Sequence, residues 1–328
     1  MRIHVITAAN NIFVPPLCAT IASVLKNITT PVSFYILQNG LTGESCKIIE
    51  SMFAGSRCTV EFLQIDRHMF DVFDLEKTHT TVETAFRFSI VDLKPDLKKA
   101  IYLDCDLIVR ADLRELWDID IGDCYAGVIY DQFDVKSAGQ KYFEMLDPER
   151  YFNAGVLVLN LERIRRDFRT STFLELAIRN RDWMKLHDQD VLNLAFKSNL
   201  KFLPLRWNLI TYYFEQIPRR LYLTRQEILD ARKNPAIVHY SGRNKPWIYP
   251  RGIYAHPLAP LYFHYLAMTP YAEQAKTIMK KYGAWRCFCA RMRFWWRRPV
   301  FFLRLRYWRA RAERLVWKSY WKQERFTK

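Results

Sequence analysis

Along the chain, short apolar runs of strand length alternate with longer stretches whose apolar positions recur at helical spacing. Residues 3–6 are a β-branched run that predicts a first strand. A helix is expected over about residues 16–26, ended by Asn27 and the turn Thr29-Thr30-Pro31. Residues 32–37 read as a second strand. The spacing of Ile48, Ile49, Met52 and Phe53 predicts a helix over residues 42–53, with Thr42 as its N-cap. Residues 60–63 are a third strand. Residues 81–93 read as a helix that Pro95 stops, and residues 100–103 as a strand running into Asp104. This alternation implies an α/β fold, a mostly parallel sheet with helices on both faces. Ligands of such sheets bind beyond the carboxyl ends of the strands. No internal repeat or low-complexity linker precedes residue 284.

Composition adds a second feature. Half of the 328 residues are hydrophobic, and Gly and Pro are sparse, so the chain has ample core material and no signature of disorder. The formal net charge is +16, but it is unevenly placed. Residues 284–328 hold fourteen Lys and Arg against Glu313 and Glu324, together with six of the ten tryptophans, which leaves +4 for the rest. A nearly neutral domain, residues 1–283, is therefore expected ahead of a basic aromatic tail, residues 284–328. The seven cysteines stand at 18, 46, 58, 105, 124, 287 and 289. Only the last two are close, and C-x-C is tighter than the C-x2-C of zinc and redox pairs, so reduced thiols in a cytoplasmic protein are expected. The first seven residues read as a strand and not as a signal peptide, and no apolar run of about 18 residues spans a membrane.

Four segments carry candidate chemistry. In Tyr102-Leu103-Asp104-Cys105-Asp106 two carboxylates at i and i+2 follow an apolar strand, where a ligand crevice opens. On extended backbone they point to one side, and hard oxygens suit Mg²⁺ or Mn²⁺. Taken alone, a solvated turn explains them as well. In Phe152-Asn153-Ala154-Gly155-Val156 an apolar strand opens with Asn and two small residues, which allow close approach to the backbone. A core strand with a tight opening turn is the plainer explanation. In His187-Asp188-Gln189-Asp190-Val191-Leu192-Asn193 polar groups open a helix. Asp188 suits the N-cap and Asp190 the positive helix end, which leaves Gln189 unexplained. In His239-Tyr240-Ser241-Gly242-Arg243-Asn244-Lys245-Pro246-Trp247 a histidine ends a strand. Its imidazole can complete a site begun by two aspartates, or simply be hydrogen-bonded.

In this order and spacing, L-D-C-D, F-N-A-G-V, D-Q-D-V-L-N and H-Y-S-G-x-x-K-P-W resemble the bacterial family-8 glycosyltransferases over about residues 1–250. The likeness is greatest to lipopolysaccharide and lipooligosaccharide galactosyl- and glucosyltransferases. The resemblance implies a single GT-A-type, Rossmann-like domain that binds UDP-galactose or UDP-glucose. It implies Mn²⁺ (or Mg²⁺) held by Asp104, Asp106 and His239, and phosphate contacts from Gly242 and Lys245. Ala8, Ala9 and Asn10 match the uridine-binding segment, although the family usually has Asp where this chain has Asn10. Arg87 matches a residue that contacts donor sugar and phosphate. Asn153, Ala154, Asp188 and Gln189 match positions lining the donor sugar, with Gln189 near the anomeric carbon. The family retains anomeric configuration. An amide is a poor nucleophile, so front-side displacement is expected, with Asp188 as nucleophile the open alternative. Residues 131–150 and 206–225 are expected to shape the acceptor site.

The tail reads as one helix over residues 299–323. Phe301, Leu305, Trp308, Ala312, Leu315, Val316 and Ser319 fall on one side, flanked by Arg304, Arg306, Arg309, Arg311, Arg314 and Lys318. With Trp295, Trp296 and Trp317 it suits an anionic headgroup zone. Peripheral attachment to the inner face of the cell membrane, beside a lipid-linked oligosaccharide acceptor, is therefore expected. The other readings are a solvated helix packed on the body, or a degenerate family member that binds a membrane surface or nucleic acid without transferase activity. A nucleic-acid partner is not expected, because the body has little excess charge.

Overall fold

The structure is a computed structural model that describes residues 1–73, 81–131, 140–197, 199–215, 223–249 and 255–281. The expected tail, with Trp295, Trp296, Arg304, Trp308, Arg311 and Trp317, lies outside the described residues. No helix among the described residues is long and apolar enough to cross a membrane. Cys18, Cys46, Cys58, Cys105 and Cys124 are free thiols.

Ten strands are described: β1 Ile3–Ala8, β2 Val32–Gln38, β3 Thr59–Gln64, β4 Lys99–Leu103, β5 Leu107–Val109, β6 Ala126–Tyr130, β7 Phe152–Asn160, β8 Leu200–Phe202, β9 Leu209–Ile210 and β10 Ile237–His239. Seven of them form one sheet in the order β3-β2-β1-β4-β7-β6-β8. It is parallel except along β7, which runs against both β4 and β6. Strands β1 and β2 are nearly continuous apolar runs because both faces of the sheet are covered. Alternate residues feed two cores. Ile3 and Val5 of β1 and Ile101 and Leu103 of β4 enter one, while Ile6, Ala100 and Tyr102 enter the other. The helix Val14–Asn27 starts with Pro in its first turn and buries Leu17, Cys18, Ile21 and Val24. Thr42 does cap the helix Gly43–Ser51, accepting from Ser45 N.

Two features of this topology create the site. The chain first grows outward from β1 to β2 and β3, then crosses back so that β4 pairs with β1 on its other side. A crevice therefore opens at the carboxyl ends of β1 and β4. The second feature is a small sheet, β5-β10-β9. The chain passes from β4 to β5 through Asp104-Cys105-Asp106, and β10 runs antiparallel to β5 with His239 opposite Leu107. Residues 104–106 thus bridge the two sheets, and the end of β10 is brought to them from more than a hundred positions away.

Residues 81–93 differ from expectation. They form a 3-10 helix over Val82–Ser89 and only one α-turn over Ile90–Leu93. Ala85, Phe86, Arg87, Phe88 and Ser89 are all buried. Residues 81–84 are half-buried, 85–91 buried, and Asp92 and Leu93 exposed; the three-residue turn of a 3-10 helix is close enough to the α-helical period for the same apolar spacing to read as an α-helix.

Candidate active site

Asp104, Asp106 and His239 offer ligand atoms that all lie within 4.8 Å of one another. His239 Nε2 is 3.1 Å from Asp106 Oδ1 and 3.7 Å from Asp104 Oδ2. Gly155 makes room for them, since a Cβ built there would overlap the His239 ring and stand 2.7 Å from Asp104 Oδ2. The Lys245 ammonium bonds Asp106 and also donates to Tyr240 O at 2.7 Å. Burial alone would raise the Asp106 carboxyl; Lys245 and then His239 outweigh it and hold the group well below the usual carboxylate range. Two hard oxygens, one imidazole and a glycine-lined cradle fit a divalent cation such as Mn²⁺ or Mg²⁺.

The hydrogen bonds around His239 fix its tautomer. Asn153 Oδ1 accepts from Gly155 N at 2.9 Å, so that atom is an oxygen. Asn208 must therefore turn its Nδ2 to it, at 2.7 Å. That leaves Asn208 Oδ1 facing His239 Nδ1 at 2.9 Å, so Nδ1 carries a proton and Nε2 is the ring nitrogen presented to the two aspartates. Partners of this kind set the orientation and basicity of a metal-ligating imidazole. Asn208→Leu is expected to weaken Mn²⁺ binding roughly 10- to 100-fold. A direct Mn²⁺ titration checks this, and unchanged affinity would show that Asn208 does not orient the ring.

Gln189 is held on all sides. Its Oε1 accepts from Ala154 N at 3.0 Å and Asn153 Nδ2 at 3.3 Å. Its Nε2 donates to Asp131 Oδ2 at 2.8 Å and Tyr151 Oη at 3.1 Å. Asn153 Nδ2 also donates to Asp131 Oδ2, at 3.1 Å.

Asp188 does not cap the helix as expected. It lies inside the helix His187–Phe196, which has Leu186 at its N-cap position and no side-chain cap. Asp190 instead ties down the turn that precedes the helix: it accepts from Lys185 N at 2.7 Å, Leu186 N at 2.8 Å and Tyr151 Oη at 2.6 Å. Asp188 accepts from Thr84 Oγ1 at 3.0 Å and pairs with Arg87 Nε at 3.2 Å. Burial pushes the Asp188 carboxyl above its ordinary value, against Arg87. Arg87 sits beneath the cleft. It donates to Thr84 O at 2.6 Å, to Ala154 O, and to Asp104 Oδ1 at 3.1 Å, and it stacks over the Tyr102 ring at 4.2 Å. Despite burial, its partners Tyr102, Asp188 and Asp104 raise its pKa further. It therefore ties Asp104 to Asp188 of the helix His187–Phe196.

Asp104, Asp106, His239, Lys245, Arg87, Asn153, Asp188 and Gln189 line one cleft of about 690 Å³. The end of β1 contributes Ala8, Ala9 and Asn10, and the other wall contributes Gly242, in a left-handed conformation (φ 75), and Lys245. Thr211, Tyr212 and Glu215, from the stretch expected to shape the acceptor site, also line it. Sequence reasoning missed Thr84, Glu83, Asp131, Tyr151 and Asn208. Each acts through a partner distant in sequence, so no local pattern marks it.

A doubly sheeted α/β domain thus brings an aspartate pair and a histidine together at a topological switch point, and its likeness to known proteins makes it a GT-A-type glycosyltransferase. The sequence matches the pattern of Glycosyl transferase family 8 over residues 4–250, and the chain belongs to that family. It is 32% identical over 278 residues to General stress protein A of Bacillus subtilis (strain 168), covering 81% of this chain and 93% of that protein. A lipopolysaccharide 1,2-glucosyltransferase of Escherichia coli is 27% identical over 238 residues, covering 70% of this chain and 68% of the relative. The crystal structure of galactosyltransferase LgtC in complex with donor and acceptor sugar analogs is similar at a TM-score of 0.72 and 26% identity, covering 84% of this chain and 100% of that one.

Proposed function

We propose that this glycosyltransferase moves a hexose, glucose or galactose, from a UDP-sugar to a saccharide acceptor of lipopolysaccharide or lipooligosaccharide synthesis, with retention of configuration. The observation that carries the reading is the convergence of Asp104, Asp106 and His239 in the cleft that Gln189 also lines. The names of the glucosyltransferase relative and of LgtC support a hexose donor.

Asp104, Asp106 and His239 would hold Mn²⁺ or Mg²⁺, which when bound supplies charge neutralisation to the departing diphosphate. Lys245 adds a cation on the same side, where negative charge develops. Gly242 lets the backbone approach the phosphates closely. Asn153, Ala154, Asp188 and Gln189 line the donor sugar, with Arg87 fixing Asp188 and Asp104 from below.

Retention is taken from the family, and the route to it depends on what Gln189 and Asp188 can offer. Gln189 is an amide with both ends engaged, and an amide is a poor nucleophile. Both Asp188 oxygens are held, by Thr84 and Arg87. Front-side displacement is the route favoured here, with attack by the Asp188 carboxylate as the alternative. The bond from the anomeric carbon to the leaving phosphate therefore breaks as the bond to the acceptor oxygen forms on the same face. The acceptor's proton passes to the leaving phosphate. Gln189 stabilises the positive centre through its oriented carboxamide dipole. Gln189→Ala should cut turnover roughly 10²- to 10³-fold while UDP still binds. A glycosyl adduct trapped on Asp188 would overturn the one-step scheme.

Residues 284–328 supply the proposed tether, placing the enzyme peripherally at the cytoplasmic face of the cell membrane beside a lipid-linked acceptor. Each basic residue near an anionic surface contributes about 1 kcal/mol. The full chain should float with anionic liposomes and lose this in high salt. A salt-sensitive shift of single-stranded nucleic acid, without flotation, would instead favour a nucleic-acid tail. A screen of nucleotide sugars with metal present, scored by release of nucleoside diphosphate, tests the function as a whole. The intact metal trio argues against a degenerate, purely binding role.

A further inference from the structure

Asn10 stands where β1 delivers the chain to the cleft, but its side-chain carbonyl is already engaged. Oδ1 accepts from Ile12 N at 3.0 Å and from Phe13 N at 3.3 Å. With both lone pairs used, Asn10 has only carboxamide N–H groups left for a ligand. One of them donates to Glu83 Oε2 at 3.2 Å. Glu83 lies in the first turn of the 3-10 helix Val82–Ser89 and lines the same cleft with Ala8, Ala9 and Phe13. Neither the second N–H of Asn10 nor Glu83 Oε1 has a hydrogen bond among the described residues. The pair therefore presents one acceptor and one donor side by side.

We infer that Glu83 and Asn10 read the base of the donor nucleotide, Glu83 accepting from a ring N–H and Asn10 donating to the carbonyl next to it. The inference rests on the nucleotide-sugar reading above. The trio and Lys245 mark the diphosphate end of the cleft, and the β1 end is left for the base. Uracil carries a ring N–H flanked by carbonyls and matches the pair. Cytosine carries a lone pair at the same ring position and an amino group beside it. It would set a lone pair against the Glu83 carboxylate and an N–H against the Asn10 amide. A site built to hydrogen-bond its ligand rejects an analogue that leaves those groups unpaired. Guanine has the same donor–acceptor edge as uracil, so the comparison that isolates the pair is uracil against cytosine, two pyrimidines of one size.

The test is calorimetric titration of the full chain with UDP and with CDP at saturating Mn²⁺. The unsubstituted protein should prefer UDP by roughly 10- to 100-fold, as expected for one hydrogen bond to a charged group. In Glu83→Gln the amide can turn an N–H to the cytosine ring nitrogen, so the preference should collapse or invert. In Glu83→Ala it should collapse without inverting. Because the readout is a ratio within one protein, a general loss of folded material does not imitate it. An unchanged UDP-to-CDP ratio in both variants, or a protein that binds the two alike from the start, overturns the inference and leaves the transferase reading intact. A protein that binds neither nucleotide overturns both.

Discussion

Replacing Gly155 with alanine should cost roughly 10²- to 10³-fold of donor turnover in a protein that still folds. Asp104 N donates to Gly155 O at 2.8 Å, which draws the start of β7 against the aspartate turn. At that distance there is no room for a methyl group. An added Cβ would overlap the His239 ring and lie 2.9 Å from Nδ1 and 2.7 Å from Asp104 Oδ2. The imidazole would have to turn, breaking its bond to Asn208 and moving Nε2 off the aspartates. The backbone at Gly155 is not left-handed, so alanine brings no strain of its own there. Overpacking should lower stability by about 1–3 kcal/mol, far less than would abolish folding. Turnover of UDP-sugar against Mn²⁺ concentration, read beside a thermal melt, separates the two effects. Full activity in Gly155→Ala would show that the trio does not need its present geometry.

Arg87→Leu should destabilise the fold by about 3–5 kcal/mol, the usual result of stripping the cation from buried acids. Arg87 is 5% exposed and serves Asp104, Asp188, Thr84 O and Ala154 O at once. Lysine has a single ammonium and cannot span four acceptors, so Arg87→Lys should recover little. The pH dependence gives a second readout. Burial already pushes Asp188 upward and Arg87 opposes this, with Asp104 pushing further up. Without Arg87 the folded pKa rises again, so the folded state holds a proton that the unfolded chain releases. The variant should thus be most stable below the ordinary carboxylate pKa and lose that advantage as pH rises through the raised value. Urea denaturation at several pH values checks this. Adding Asp188→Asn should restore part of the loss. A variant as stable as the parent at neutral pH would contradict the ion-pair account.

Much of the first half of the chain was readable from periodicity, because β1, β2 and β4 are compact apolar runs, β3 is a short strand-like run around residues 60–63, and the helices after β1 and β2 have clear stops. The convergence of Asp104, Asp106 and His239 was readable because strand ends carry ligands and because the four motifs resemble one family. Other features depend on contacts that spacing does not encode. The small sheet β5-β10-β9 has strands of two or three residues, too short for a periodic signal. Asp188 and Asp190 look alike at the start of a helix, and only the fold decides that Asp190 holds the preceding turn at Lys185 and Leu186 while Asp188 pairs with Arg87. Arg87 reads as a ligand contact in sequence; it lines the cleft, and its burial among Asp104 and Asp188 also makes it a cross-link, which spacing does not encode. Asn208 and Asp131 stand in unremarkable surroundings in sequence, and become legible only when β7, β9 and the Gln189 helix are brought together.

The account rests on the cleft using a divalent cation to act on a nucleotide sugar. Release of UDP from UDP-glucose and UDP-galactose, followed with Mn²⁺ and again after chelation, tests this most directly. The expected result is turnover of at least one of the two donors that disappears on chelation, returns with Mn²⁺, and is absent in Asp106→Asn. Turnover that survives both chelation and that substitution would contradict the account.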